Sequence, residues 1–167
     1  MADFESKRNQ KKLTPSLAFE KMKGWCAYQE RAQDEVRNKL YEYSVRNDDA
    51  ENIISRLISE NYLNEERFAV AFAGGKFRIK KWGRIKIKIE LKKRKVSEYC
   101  IKKALAQIDE TDYFVTLEKI LEKRIKEEKE TNKIKRQYKL IKFAMSKGYE
   151  QDLIIEALNN KNLKYES

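Results

Sequence analysis

The chemistry that this sequence offers most plainly is phosphate binding by a dense set of cations. Residues 76–95, which read KFRIKKWGRIKIKIELKKRK, hold eleven Lys or Arg and one acid, Glu90, and therefore sum to +10. The whole chain of 167 residues carries +11, so this basic segment supplies almost all of the net charge. Self-repulsion destabilises such a segment, and a polyanion that releases its counterions on binding would offset the repulsion. We predict a nucleic-acid or nucleoprotein partner, against the simpler alternative of a solvated helix face.

Catalytic chemistry has little support in the sequence. The chain has no histidine, which removes the Ser-His-Asp and Cys-His nucleophile systems, histidine bases and most zinc sites. No glycine-rich phosphate loop occurs. The carboxylates lie in Lys-rich helical runs, where pairs such as Glu122 with Lys126 explain them. We predict a protein that is not an enzyme and that has no metal and no cofactor.

The composition favours a helical protein of the cytoplasm, and we also predict that it is a monomer. One proline and five glycines are too few turn formers for an all-β fold. The longest apolar run, residues 68–73, is too short to span a membrane, and the first residues do not resemble a signal peptide. Cys26 and Cys100 form neither a disulfide framework nor a metal set, and we interpret both as buried thiols in a reducing cytosol.

An internal repeat with a period near 50 residues must position the basic segment. Residues 91–105 align without a gap on residues 144–158, and residues 53–58 end a first copy in the same way. Repeats of this length indicate stacked units that are each too small to fold alone. We predict an all-α fold of three tandem three-helix repeats in an extended, curved array. The predicted organisation is a flexible basic N-terminal tail at 1–13 and three-helix repeats at 14–61, 62–109 and 110–167.

Helical periodicity and capping residues define three helices in each repeat. The predicted helices are 15–27, 32–45 and 49–60, then 65–77, 83–94 and 98–107, then 112–129, 132–147 and 150–159. The predicted N-terminal caps are Thr14, Asp48, Asn64, Ser97, Thr111 or Asp112, and Thr131. Gly148 is predicted to end a helix in the left-handed region.

The middle helix of the second repeat carries a conflicting signal. Apolar and charged residues alternate from Ile85 to Leu91, which is the period of a strand. We favour a helix because the matching segments of the other repeats have a helical pattern. In the alignment Ile87 and Leu91 occupy core positions, whereas Ile85 and Ile89 fall on surface positions. These two isoleucines either pack against a neighbouring unit or form an apolar contact inside a binding face. The cations predicted to form that binding face are Lys76, Arg78, Lys80, Lys81, Arg84, Lys86, Lys88, Lys92, Lys93 and Arg94.

The motifs of residues 61–105 resemble the central module of the RecX regulatory proteins. In outline, that family has G-Y-L-[DN]-[DE]-x-R-F-A, a basic segment ending in G-x-G, then I-x-x-E-L, a polar break and a helix ending in A-L. Residues 29–40 resemble the family's first-unit motif R-x-x-S-x-x-E-L-x-x-K-L. Residues 146–158 resemble its closing R-R-G-[FY]-x-x-x-x-I-x-x-A-L. The resemblance extends over residues 15–160, in order and with the right spacing.

The sequence departs from the family pattern at five positions. Asn61 and Lys95 stand where the family often has glycine, and Ala32 stands where it usually has a serine that could cap the middle helix. Ile85 and Ile89 replace residues that are typically polar.

The resemblance implies a non-enzymatic modulator of the RecA recombinase. Such proteins are three tandem three-helix units that lie in the groove of the RecA filament on DNA and lower its ATPase and strand-exchange activity. The implied processes are homologous recombination, DNA repair and the SOS response. The implied partners of the binding face are RecA and, for some members of the family, DNA. From the charge of the basic segment we predict that DNA binding is weak and independent of sequence.

A second hypothesis is a sequence-independent DNA-binding protein that uses the middle helix of every repeat. Such a protein should be basic in all three middle helices. The first repeat instead has Asp34 and Glu35 at this place, which favours a partner that offers both protein and phosphate.

Overall fold

The computed structural model describes residues 11–161, and the only regular secondary structure in that part of the chain is α-helix. Its nine helices are α1 Pro15–Tyr28, α2 Gln33–Glu42, α3 Asn47–Ser59, α4 Glu65–Lys80, α5 Arg84–Lys93, α6 Glu98–Ala106, α7 Glu110–Glu127, α8 Lys133–Ser146 and α9 Gln151–Asn160. The predicted all-α fold of three-helix repeats is confirmed. Most of the predicted flexible tail, residues 1–13, lies outside the described residues, as do the last six residues of the third repeat.

Three of the predicted N-terminal caps are confirmed. The Thr14 hydroxyl accepts a hydrogen bond from the Leu17 amide at 3.3 Å, and Pro15 takes the first helical position. The side-chain oxygen of Asn64 accepts from the Arg67 amide at 2.8 Å, and the Ser97 hydroxyl accepts a longer bond at the start of α6. Each cap supplies an acceptor to an amide that has no partner within its own helix.

The other predictions of N-terminal caps are wrong. They named Asp48 for α3, Thr111 or Asp112 for α7, and Thr131 for α8. The α3 helix already begins at Asn47, so Asp48 lies in its first turn. The cap of α7 is Asp109, and the cap of α8 is Asn132, each accepting from the amide three residues further on. Several neighbouring side chains can cap at these places, and only the backbone geometry selects the one that reaches that amide.

Helices in both halves of the chain end at a residue in the left-handed region. Gly148 has φ 97°, as predicted. Asn61 and Lys95, which stand where the related family often has glycine, have φ 64° and 57°. Asparagine tolerates this conformation, whereas for lysine it costs about 1–2 kcal/mol. The backbone therefore retains a turn for which glycine would be the less strained residue.

The described residues group into two compact units. The first contains residues 11–68 and 94–96, and the second contains residues 69–93 and 97–161. Apolar residues of α1, α2 and α3 form the core of the first unit, among them Phe19, Met22, Leu40 and Leu57. The largest fully buried side chains of the second unit are Ile87, Leu91, Ile101, Tyr113, Leu117, Leu121, Leu140 and Tyr149.

The α5 helix resolves the conflicting signal in favour of a helix. Ile87 and Leu91, one turn apart, are fully buried, whereas Ile85 and Ile89 are 47% and 49% exposed. The internal alignment therefore assigned both pairs to the correct side. Apolar and charged residues alternate along α5 because this helix buries only a narrow stripe, while isoleucine also occupies two of its exposed positions.

Both cysteines are buried and neither forms a disulfide. Burial raises the pKa of Cys26 to about 11, so its reactive thiolate is scarce at neutral pH. The reducing cytosol that we predict for them stays a prediction.

We expect Leu91→Ala to lower the free energy of unfolding by about 2–5 kcal/mol, through lost burial and the cavity left behind. Ile89→Ala, on the exposed side of the same helix, should cost about 1 kcal/mol or less. Urea unfolding followed by circular dichroism measures both. Equal losses at the two positions would contradict the inward and outward faces of α5.

Candidate nucleic-acid interface

The basic segment runs from the last turn of α4, through residues 81–83, along α5 and on to Lys95. Nine of the ten cations predicted for the binding face belong to the second unit, and Arg94 belongs to the first. The structure therefore brings most of the predicted cations into one compact unit. The side chains within it differ greatly in what they contact.

Backbone hydrogen bonds hold the start of α5 on the turn that follows α8. The Gly83 amide donates to the Lys147 carbonyl at 2.8 Å, and the Ile85 amide donates to the Gly148 carbonyl at 3.0 Å. The amide between them, that of Arg84, donates to the Tyr113 hydroxyl at 3.0 Å. The first amides of a helix have no partner within it. The third repeat supplies the acceptors that this helix start needs.

Two glycines make this contact possible. A Cβ atom on Gly83 would lie 2.2 Å from the Gly148 carbonyl oxygen, and a Cβ on Gly148 would lie 2.4 Å from the Cβ of Lys86. Both neighbours belong to the backbone or to the first carbon of a side chain, so neither can move aside cheaply. Glycine is therefore needed at both positions.

Tyr113, Glu150 and Arg84 form a polar network beside the contact between α5 and the turn after α8. The Tyr113 hydroxyl donates to Glu150 at 2.6 Å, and burial together with this bond raises the pKa of Tyr113 well above its ordinary value. The Arg84 guanidinium lies 4.0 Å from the Tyr113 ring centroid and 2.8 Å from Glu110. Only 20% of the Arg84 side chain is exposed, so its contacts lie mainly within the protein. Its predicted binding role stays a prediction.

Several of the predicted cations already have carboxylate partners. Lys88 and Lys92 pair with Glu98 at 2.7 and 3.4 Å, and the hydrogen bond from Lys88 lowers the pKa of Glu98. Lys93 pairs with Glu90 at 2.8 Å. These contacts reduce the positive potential along the second half of α5.

Arg94 and Lys95 pair with acids of the first unit. Arg94 lies 3.6 Å from Glu35, and Lys95 lies 2.9 Å from Asp34. The acids of α2 therefore neutralise the last two cations of the basic segment.

The first half of the segment retains cations that pair with none of the acids in the described residues. Lys76 and Lys86 lie against the ring of Trp82, with Nζ at 5.0 and 4.6 Å from its centroid. Arg78 and Lys80 are exposed at the end of α4. Lys81 donates from Nζ to the Arg78 carbonyl at 2.7 Å. The positive charge left uncompensated is thus concentrated before and at the start of α5.

The binding face predicted from the sequence left out Trp82, Glu98 and Tyr113. An aromatic residue inside a run of cations is the signal that could have identified Trp82. Glu98 is the first acid after the segment and lies one helix further on. No local pattern marks Tyr113, because its role depends on a contact between the second and third repeats.

Other kinds of site find no support in the described residues. No group of three metal-ligating side chains occurs in the part of the chain that the structure describes. Within residues 11–161, no helix combines the length and the apolar character that crossing a membrane requires.

Two family models match the chain in order. The second three-helix domain of RecX matches residues 64–105, and the third three-helix domain of RecX matches residues 110–158. Together they cover more than half of the chain. The chain belongs to the RecX family. This confirms the resemblance found in the sequence motifs. The two matched ranges include both α5 and the turn after α8 that contacts the start of α5.

Curated relatives of the RecX family agree with this assignment. The chain is 36% identical over 135 residues to "Regulatory protein RecX" of Clostridium perfringens, covering 78% of this chain and 63% of that protein. It is 24% identical over 152 residues to "Regulatory protein RecX" of Haemophilus influenzae, covering 90% of this chain and 99% of that protein. The chain thus spans somewhat less than two thirds of the Clostridium relative and nearly all of the Haemophilus one.

Solved structures of RecX proteins share the fold. A crystal structure of RecX from Lactobacillus salivarius superimposes with a TM-score of 0.80 at 21% identity, covering 90% of this chain and 97% of that one. A second crystal structure of regulatory protein RecX gives the same TM-score at 18% identity, covering 87% and 71%.

We expect Gly83→Ala to lower the free energy of unfolding by about 1–3 kcal/mol, because its Cβ would overlap the backbone at Gly148. Gly75→Ala is the matched control. A Cβ there meets nothing within 4 Å, so it should raise stability by about 0.5–1 kcal/mol through helix propensity. Urea unfolding measures both, and a Gly83→Ala protein as stable as wild type would contradict the close contact.

Proposed function

We propose that this protein is a non-enzymatic regulator that binds the RecA filament on DNA and inhibits the RecA ATPase and strand exchange. The observation that supports the proposal most is the ordered match to the second and third RecX domains. The relatives bear the name of a regulatory protein, which accords with a role in binding rather than in catalysis.

The distribution of charge supports a nucleoprotein as the partner. Uncompensated cations lie before and at the start of α5, where they can contact phosphates. On α5 itself, Ile85 and Ile89 expose apolar surface beside those cations. A filament of protein on DNA offers apolar and acidic protein surface together with phosphate, and it would satisfy both features.

The alternative of a DNA-binding protein that uses every repeat is less well supported. The α2 helix presents Asp34 and Glu35, which pair with Lys95 and Arg94. The middle helix of the first repeat is therefore acidic where such a protein would need cations.

We propose in addition that the protein acts as a monomer in the cytoplasm, within homologous recombination, DNA repair and the SOS response.

Titration into RecA assembled on single-stranded DNA tests the proposed function. We expect the DNA-dependent ATPase rate and the yield of strand exchange to fall as the protein is added at amounts up to stoichiometric with RecA. The control is the same titration with RecA omitted, which should show no ATP hydrolysis. Unchanged ATPase and strand exchange at low salt would refute the proposal.

Binding to duplex DNA alone should be weak, independent of sequence and sensitive to salt. If about five phosphates are neutralised, the slope of log affinity against log salt concentration should be near −4.5. Fluorescence anisotropy with two labelled duplexes of unrelated sequence measures both properties. Tight, salt-insensitive binding to one of the two duplexes would contradict this prediction.

A further inference from the structure

Aromatic rings and ammonium groups alternate at the junction of α4 and α5. Lys76 Nζ lies 5.3 Å from the Phe72 ring centroid and 5.0 Å from that of Trp82. Lys86 Nζ lies 4.6 Å from the Trp82 centroid. Trp82 is half-buried and lies between the two helices that carry the lysines. Two cations of the basic segment therefore share one indole ring.

The backbone around Trp82 is fixed on both sides. Its own amide donates to the Lys76 carbonyl at 3.3 Å, and the next amide, that of Gly83, donates to the Lys147 carbonyl. The Cβ of Lys86 lies close against Gly148. The backbone that carries the ring and the first carbon of Lys86 are thus positioned before any partner binds, which lowers the entropic cost of binding.

The two lysines keep their full positive charge. Neither forms an ion pair with an acid of the described residues, whereas Lys88 and Lys92 share Glu98. An aromatic ring attracts an ammonium group through its quadrupole and leaves the net charge unchanged. The indole therefore holds two cations in place without neutralising them.

We propose that Trp82, Lys76 and Lys86 form a binding site for single-stranded nucleic acid. On binding, the two ammonium groups move from the ring to phosphates on either side, and a base stacks on the indole in their place. Both ammonium groups lie within 5.0 Å of the ring centroid, close enough to serve neighbouring phosphates of one strand. Every base has a π-face, so such a site tolerates any sequence.

A single strand fits this site better than a duplex or an acidic peptide does. The bases of a duplex are stacked on one another, so the indole could not reach a base face. An acidic peptide could satisfy the lysines but would leave the indole without a matching group. In a single strand the phosphates accept the two ammonium groups and a base takes the ring face.

The inference rests on the proposed function, because a RecA filament presents nucleic acid, and its test is independent of RecA. The measurement is anisotropy of a fluorescein-labelled dT oligonucleotide at several NaCl concentrations. We expect Lys76→Gln with Lys86→Gln to reduce the salt slope by about 1.4, which corresponds to two phosphate contacts on a single strand. Lys88→Gln with Lys92→Gln removes the same charge from the same segment and should change the slope by less than half as much.

Tryptophan fluorescence tests the stacking directly. In the Trp25→Phe protein, Trp82 is the sole tryptophan, and dT should quench its emission along the same binding curve as the anisotropy. Trp82→Leu, which keeps apolar volume but removes the indole, should weaken binding by about fivefold or more. If that variant unfolds, as judged by circular dichroism, the quenching measurement still decides the question.

Three results would overturn the inference. The first is an unchanged salt slope for the Lys76 and Lys86 double variant, and the second is emission from Trp82 that dT does not alter. The third is a double variant that binds dT normally but no longer inhibits RecA. That result would mean that the site contacts protein, and it would be consistent with the proposed function. Conversely, Trp82-dependent binding of dT without any effect on RecA would support the site and refute the proposed function.

Discussion

The basic segment depends on a short backbone contact between the start of α5 and the turn after α8. The amides of Gly83 and Ile85 donate to the carbonyls of Lys147 and Gly148, so one turn of the third repeat serves as the N-terminal cap of a helix in the second. The contact requires glycine on both sides, and the ring of Tyr113 packs 5.0 Å from that of Tyr149 beside it. The contact fixes the start of α5, and Trp82 is the residue immediately before the first of these amides.

Net charge alone gives an incomplete account of the basic segment. Glu98 and Glu90 neutralise lysines in the second half of α5, and Arg84 is used within the fold. Exposed ion pairs of this kind contribute little to stability, so their main effect is to redistribute the surface potential. They leave the uncompensated charge near Trp82, where two lysines contact an aromatic ring and none of the carboxylates of residues 11–161.

Much of the fold could be predicted because helical patterns and an internal repeat are local signals. Thr14, Asn64 and Ser97 cap as predicted, and the repeat placed Ile87 inward and Ile89 outward against a misleading period-2 pattern. The candidate site was less predictable. Charge along the sequence identifies the cations, but whether each one is paired depends on acids brought near by folding. The roles of Tyr113 and Glu98 arise from such contacts and leave no signal in the sequence.

The three repeats place different chemistry at corresponding positions of their middle helices. The positions held by Asp34 in α2 and by Ile85 in α5 correspond in the alignment to Tyr138 in α8, which is 59% exposed. Burial requirements keep the inward positions apolar in every copy, whereas the outward ones carry aspartate, isoleucine or tyrosine. Divergence at these outward positions is expected when each repeat meets a different part of a composite partner. A uniform polyanion would instead favour cations in every copy. The α8 helix, with five Lys or Arg and no acid, is as basic as α5, but the first turn of α2 carries Asp34 and Glu35 and breaks that pattern.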